Sequence, residues 1–319
     1  MVRIGIDIGG TFLKAGVVTE DGNILATAAR PTGFPRPLED IIKDIAGAAT
    51  DAVAKAGLTL DDVSFVGCGC PGTVNQQTRL IEYAGNLGFK QTPLVGELEK
   101  LLGKPVMAEN DANAAMLGEW KAGAARGTQD CVCITLGTGV GGGIIIDGKV
   151  ISGFNYAGAE LGHIVIEVDG VQCGCSRKGC WDAYSSAPAL IRMTNEKLAE
   201  CKAQGRATLM TQFVEKAGKV SGRTAFDAKR AGDEAGSEVG AKYVHYLAQG
   251  IANIINIFQP EVLSIGGGIS GEGDYLLDML VPLVRDEAYG KGIIRGTDIR
   301  IASLRNDAGI IGGAVLGLK

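Results

Sequence analysis

An α/β protein of two related lobes is what this sequence predicts, and three observations predict it. Short apolar strand patterns alternate with amphipathic helical patterns along its 319 residues, as α/β architectures require. One layout occurs twice, in "GIDIGGTFLKAGVVTEDGNI" and "CITLGTGVGGGIIIDGKV": a strand, a Gly/Thr turn, a returning strand and an Asp-Gly hairpin turn. The length is also comfortable for two lobes rather than one core.

The elements follow in order. "VRIGIDI" and "KAGVVT" read as strands joined by "GGTFL". "LEDIIKDIAGAATDAVAKAG" has helical periodicity and stops at glycine. "VSFVGCG" is a short apolar strand, "PLVGELEKLLG" a helix and "PVMAE" a strand. "NDANAAMLGEWKAGA" is a helix opened by capping residues. "CVCITL", "GGGIIID" and "IVIEV" read as strands, and the chain is mostly helical from Cys180 to Phe258. "EVLSIGG", "DYLLDMLVPLVRDEA", "IRIASL" and "AGIIGGAVLGL" close it as strand, helix, strand, helix. The expected division places a small lobe at 1–113, joined by the C-terminal helix at about 306–319, and a larger lobe at 114–305.

Composition narrows the function classes. Hydrophobic residues are 46% and charged residues 21%, a globular balance. A net charge of −5 argues against a nucleic-acid surface. No run of about 18 apolar residues exists to span a membrane. "MVRIGIDIGG" enters a strand directly, without the pattern of a secretory signal, so a cytoplasmic protein with reduced thiols is expected. Cys68, Cys70, Cys131 and Cys133 then read as small buried strand residues. Glycine stands out at 49 residues, about twice the usual ~7%. Its clustering between apolar runs suggests loops that let backbone approach a ligand.

Two of these loops, Asp7 to Thr11 ("DIGGT") and Leu136 to Gly143 ("LGTGVGGG"), offer backbone N–H groups and a hydroxyl to phosphate oxygens. Neither carries a Walker Lys-Ser/Thr, and neither runs into a helix as a dinucleotide fingerprint does. Asp7, beside the first loop, suits Mg2+ held directly or through water. A third run, Ser264 to Ser270 ("SIGGGIS"), follows a strand and suits the adenosine or ribose of a nucleotide. In this order the three loops resemble those of the actin-like ATPase (ribonuclease H-like) fold. That resemblance implies two lobes with ATP between paired hairpins.

"AENDANAAMLGEW" places Asn110 and Asp111 where a strand becomes a helix. A carboxylate there is fixed in place and kept ionised by the helix dipole, as a base for an alcohol substrate must be. Asn110 can donate to and accept from hydroxyls. Both residue types are also favoured there simply as N-caps. A further glycine turn, Cys70 to Asn75 ("CPGTVN"), leaves another strand end.

The chain has two histidines and eight cysteines, and His163, Cys173, Cys175 and Cys180 crowd into "GHIVIEVDGVQCGCSRKGC". Three thiolates and an imidazole suit tetrahedral zinc, and four protein ligands leave no place for a catalytic water, so the metal would be structural. Glu160 lies three residues before His163, and Asp182 two after Cys180. An ordered loop would aim Glu160, His163 and Asp182 at one pocket, with the second imidazole nitrogen turned to a ligand hydroxyl. His245, in a helical run, reads as structural.

Glu-x-Gly-His followed by Cys-x-Cys and Gly-Cys resembles the ROK family (repressors, open reading frames and sugar kinases). "CPGTVN", "AGNLGF", "ENDANAA", "NIFQPEVLSIGGGIS" and "NDAGIIGGA" extend the resemblance almost end to end. The pattern is most like that of bacterial ATP-dependent glucokinases. It implies Asp111 as the base for a sugar 6-hydroxyl, with Asn110, Glu160, His163, Asp182 and the Gly72 backbone on the sugar. It further implies Gly9, Gly10, Thr11, Thr138, Gly139 and Gly267 on ATP, Asp7 placing Mg2+, and zinc at His163, Cys173, Cys175 and Cys180. Members are usually homodimers, sometimes tetramers.

Two departures stand out. Ser176 occupies a position where the family usually has Gly. Asp182 replaces the usual Glu, shortening its reach by about 1.5 Å at the sugar's C1–C2 end. Kinases for N-acetylmannosamine, fructose or mannose are therefore the alternatives within the class, and polyphosphate as donor finds no clear basic track. A sugar-sensing repressor would carry an N-terminal helix-turn-helix, for which a chain starting at the first strand leaves no room. An actin-like filament protein would not need the metal loop.

Overall fold

The computed structural model describes residues 1–317; Leu318 and Lys319, the end of the expected 306–319 segment, lie outside the described residues. The strands are β1 (Val2–Ile8), β2 (Phe12–Val18), β3 (Ile24–Pro31), β4 (Val63–Cys70), β5 (Thr73–Asn75), β6 (Leu80–Ala84), β7 (Phe89–Thr92), β8 (Val106–Asn110), β9 (Cys131–Leu136), β10 (Val140–Ile146), β11 (Lys149–Val150), β12 (Val262–Gly266) and β13 (Asp298–Ile301). The helices are α1 (Leu38–Lys55), α2 (Leu94–Leu102), α3 (Asp111–Ala122), α4 (Asp182–Ser185), α5 (Ala187–Ala203), α6 (Leu209–Ala217), α7 (Thr224–Arg230), α8 (Glu234–Phe258), α9 (Asp274–Glu287) and α10 (Ala308–Val315).

The repeated sequence layout becomes a repeated topology. One sheet runs β3-β2-β1-β4-β8 and another β11-β10-β9-β12-β13, so each begins as an antiparallel hairpin and continues into later strands. In the first, β1 pairs antiparallel with β2 and parallel with β4, and β4 is parallel to β8. The Asp147-Gly148 turn has φ 52° and 69° and sets Ile145 opposite Val150, the pair of left-handed backbone conformations that an Asp-Gly hairpin turn calls for. A small sheet, β5-β6-β7, completes the set.

Contacts divide the chain into two compact units. The first comprises Met1–Cys133, Gly142–Ala159 and the segment from Ala302 onwards, and the second Ile134–Gly141 with Glu160–Ile301. The division therefore falls after α3, not at residue 113. Close packing is the reason: α3 lies against α10 at backbone distance. A β-carbon on Gly312 would come 1.6 Å from the Ala114 carbonyl oxygen, and one on Gly118 would come 2.2 Å from that of Ala308. The buried carboxylate of Glu119 in α3 accepts the N–H groups of Ser303 at 3.1 Å, Leu304 at 2.8 Å and Ala124 at 2.7 Å. It thereby ties the returning chain to this unit.

One expected strand is absent. The "IVIEV" segment forms no strand; it holds only an isolated bridge, Val165 to Cys180. Its alternation has no sheet edge to pair with, and Val168 is exposed. Most glycines do lie in turns and loops, and several of the rest serve helix packing. Gly5 in β1 and Gly67 in β4 meet α10 so closely that β-carbons would lie 1.7 Å from the Ile310 oxygen and 1.9 Å from the Gly313 oxygen. Cys68, Cys70, Cys131 and Cys133 are buried as expected, and burial pushes the Cys68 thiol up to about 12. No helix among the described residues is long and apolar enough to cross a membrane.

Candidate functional site

In the first unit, the Gly9–Thr11 turn is pinned from behind. Gly9 donates its N–H to the Phe12 oxygen at 2.9 Å, the buried Thr32 hydroxyl donates to the Gly9 carbonyl at 2.6 Å, and Thr32 N–H reaches the Thr11 oxygen. Gly10 and Thr11 remain exposed. Asp7, at the end of β1, lies 4.0 Å from the Lys14 ammonium. Burial pushes its carboxyl above the ordinary range; Lys14 pulls it down, and the charge of Asp111 adds to the rise.

The β8–α3 junction separates the two roles that the sequence left open for Asn110 and Asp111. Asn110 is the N-cap: its side-chain oxygen accepts the N–H groups of Ala112 at 2.9 Å and Asn113 at 3.2 Å. Its amide nitrogen donates to the Gly72 carbonyl at 3.0 Å. Asp111 is thereby relieved of capping and stands as the first helical residue, one carboxylate oxygen 2.9 Å from the Ala112 nitrogen. Burial pushes its carboxyl above the usual carboxylate range, against the opposing pull of the Ala112 and Asp111 N–H groups and the Asn110 amide. Gly72 sits at φ 86°, with no room for a β-carbon beside the Tyr83 oxygen at 1.9 Å. Only glycine fits that turn.

Glu109, which no sequence pattern singles out, is 8% exposed directly behind this pair. Its signal, a carboxylate at the buried end of an apolar strand, is faint without the fold.

In the second unit, several predicted residues converge on one turn. Gly137 donates to the Gly139 oxygen at 2.9 Å, and Thr138 at the tip is exposed. Val140 donates its N–H to the Asp182 carboxylate at 2.6 Å. A β-carbon on Gly162 would lie 2.2 Å from the Val140 oxygen, and one on Gly267, at φ 84°, would lie 2.5 Å from the Leu136 oxygen. The Gly267 loop, the Thr138–Gly139 turn and the Gly162–His163 turn are therefore packed together through backbone. Glu160 is exposed just before the latter.

The metal-type donors are assembled. The ligand atoms of His163, Cys173, Cys175 and Cys180 all lie within 4.8 Å of one another. Cys175 and Cys180 sulfurs are 3.6 Å apart, and Cys173 Sγ is 3.7 Å from His163 Nδ1. Tetrahedral zinc with bonds of about 2.0–2.3 Å has ligand edges of about 3.5–3.8 Å, so the donor set fits that ion. His163 turns Nδ1 toward the thiols, which leaves Nε2 for another partner. The Cys175 thiol is lowered, first by the Arg177 backbone N–H, whereas burial pushes Cys180 up to about 12. Ser176 holds φ 71° in this loop, which accounts for the usual glycine there. Asp182 lies beside the cluster, its second oxygen 4.0 Å from Cys173 Sγ.

The repeated hairpin sheets and their glycine turns define an α/β protein of the actin-like ATPase class. Residues 3–319 match the ROK family, and the chain belongs to it. It is 38% identical to a glucokinase of Thermotoga maritima, over 98% of this chain and 95% of that one. It is 37% identical to a glucokinase of Streptomyces coelicolor, over 99% and 97% of the two chains. The crystal structure of a ROK family glucokinase from Streptomyces griseus, in complex with glucose and AMPPNP, superposes with a TM-score of 0.81 at 36% identity, covering 99% of both chains.

Proposed function

We propose that this chain is an ATP-dependent glucokinase that transfers the γ-phosphoryl group to the 6-hydroxyl of glucose. The observation that carries the reading is Asp111: a half-buried carboxylate at a helix start, freed from capping by Asn110 and raised by desolvation, in a chain similar throughout to glucokinases. Asp111 accepts the 6-hydroxyl proton as the oxygen bonds to phosphorus and ADP leaves. Asn110, the Gly72 backbone, Glu160 and His163 bind sugar hydroxyls. Gly9, Gly10, Thr11, Thr138 and Gly139 hold phosphate oxygens, with Gly267 on the nucleoside. Mg2+, placed with the help of Asp7, would neutralise phosphate charge.

Zinc at His163, Cys173, Cys175 and Cys180 would be structural: four protein ligands close the shell, and the loop they hold carries His163. A homodimer in the cytoplasm belongs to the same reading.

A second reading changes only the sugar. Asp182 is shorter than the usual Glu and its carboxylate is engaged by Val140, which loosens the hold on the sugar's C1–C2 end and admits mannose or N-acetylmannosamine. A panel of hexoses with ATP, ranked by kcat/KM, decides: another sugar ahead of glucose by tenfold or more would reject glucose as substrate.

A further inference from the structure

Glu109 is a buried acid whose donors are all neutral. One carboxylate oxygen accepts the backbone N–H of Asn110 at 2.9 Å and the side-chain amide of Asn113 at 3.1 Å. The other accepts the Gln76 amide at 3.1 Å. No cation pairs with it among the described residues, and burial pushes its carboxyl above the usual range. Such a group is costly to bury unless its hydrogen bonds do something an apolar side chain could not.

What those bonds reach is specific. Asn110, bonded through its nitrogen, caps α3 ahead of Asp111 and donates to Gly72. Asn113 is 3% exposed and gives its amide nitrogen to Glu109, although its own side-chain oxygen is then buried without a partner among the described residues. Gln76 lies in the turn after β5 and also donates to the Ala108 oxygen at 2.7 Å. Glu109 therefore ties three segments together: the turn after β5, the end of β8 and the first turn of α3. A cap alone needs none of this, because the Asn110 side chain already satisfies the helix N–H groups.

We propose that Glu109 is a positioning residue that holds Asn110, and through it Asp111 and the Gly72 carbonyl, in the geometry the phosphoryl transfer needs. This rests on Asp111 being the base. The carboxylate is required as such, because all three of its partners are donors. A glutamine in its place would turn an NH2 group against at least one of them.

The test compares Glu109→Gln, Gln76→Ala and Asp111→Asn with the parent in steady-state kinetics at saturating ATP and sugar, with Tm measured alongside. Glu109→Gln is expected to lower kcat by about tenfold to a hundredfold, the scale of a small misplacement at a reacting centre, with the KM for ATP within about twofold of the parent. Gln76→Ala, which leaves the acid in place but frees one of its oxygens, is expected to lower kcat by about threefold or more. It reads the proposal if Glu109→Gln does not fold. A folded Glu109→Gln enzyme with kcat within twofold of the parent overturns the proposal, as does an unfolded one alongside an unaffected Gln76→Ala. Asp111→Asn separates this from the underlying reading: if it keeps turnover, Asp111 is not the base; if it is inactive while both other variants are normal, only the role of Glu109 fails.

Discussion

The backbone N–H of Val140 donates to the carboxylate of Asp182 across 2.6 Å, so an acid forty-two residues downstream braces the Gly/Thr turn that ends at Gly139. Only 2.9 Å would separate its oxygen from a β-carbon on Gly139. Asp182→Ala should therefore impair nucleotide binding. A hydrogen bond to a charged group contributes about 1.5–3 kcal/mol, so the KM for ATP should rise by about tenfold or more. Asp182→Asn, which retains an acceptor, should stay much closer to the parent. Initial rates at varied ATP check this; a change confined to the sugar KM would assign Asp182 to the sugar alone.

Asp111→Asn should lower kcat by about a hundredfold to ten-thousandfold, the range for losing a positioned base, and fold should persist because Asn110 is the cap. The acid limb of kcat/KM for the sugar should lie above the ordinary aspartate value of about 3.9, because burial raises the Asp111 carboxyl. Activity is present above that raised value and lost as pH falls through it. Rates across pH 4 to about 8 read the limb.

Stability should move in the opposite sense at the same residue. With its folded-state pKa raised above the unfolded one, Asp111 is best tolerated below the unfolded value of about 3.9, and that stability is lost as pH rises through the folded value. Asp111→Asn should therefore have a higher Tm than the parent at pH 7, and the gap should shrink in acid. Thermal unfolding at both pH values checks the sign.

About one zinc per chain is expected by elemental analysis, and Cys175→Ala should abolish it. Chelation should raise the KM for glucose more than that for ATP, since His163 is itself one of the donors. Metal removal with unchanged glucose affinity would break the link between the loop and the sugar. Ser176 is in the left-handed region at φ 71°, so Ser176→Gly should stabilise the metal-loaded protein by about 0.5–1 kcal/mol. Denaturant midpoints measure that.

Gly312→Ala should destabilise by about 3 kcal/mol or more, because the added β-carbon meets the Ala114 carbonyl oxygen, a helix-backbone atom, at 1.6 Å. Gly57→Ala is a poor control, since Gly57 has φ 70°; Gly96→Ala in α2, with open space and ordinary φ, should be neutral or stabilising. Chemical denaturation of the two variants separates packing from backbone freedom.

Local pattern along the chain specifies the α/β alternation, the doubled hairpin and the metal-type donor set. These are short-range signals: strand periodicity, Asp-Gly turns, and cysteines spaced within one loop. It also singled out Asn110 and Asp111, though not which of them caps, because both residue types suit the position; the bonds from Ala112 and Asn113 to Asn110 decide that. Long-range packing leaves "IVIEV" without a strand partner and gives Gly5, Gly67 and Gly312 to helix packing. It alone engaged Asp182 with Val140 and turned Glu109 into the buried tie behind Asn110. Each of these depends on what lies opposite a residue across tens or hundreds of positions of chain, and local propensity carries no record of that.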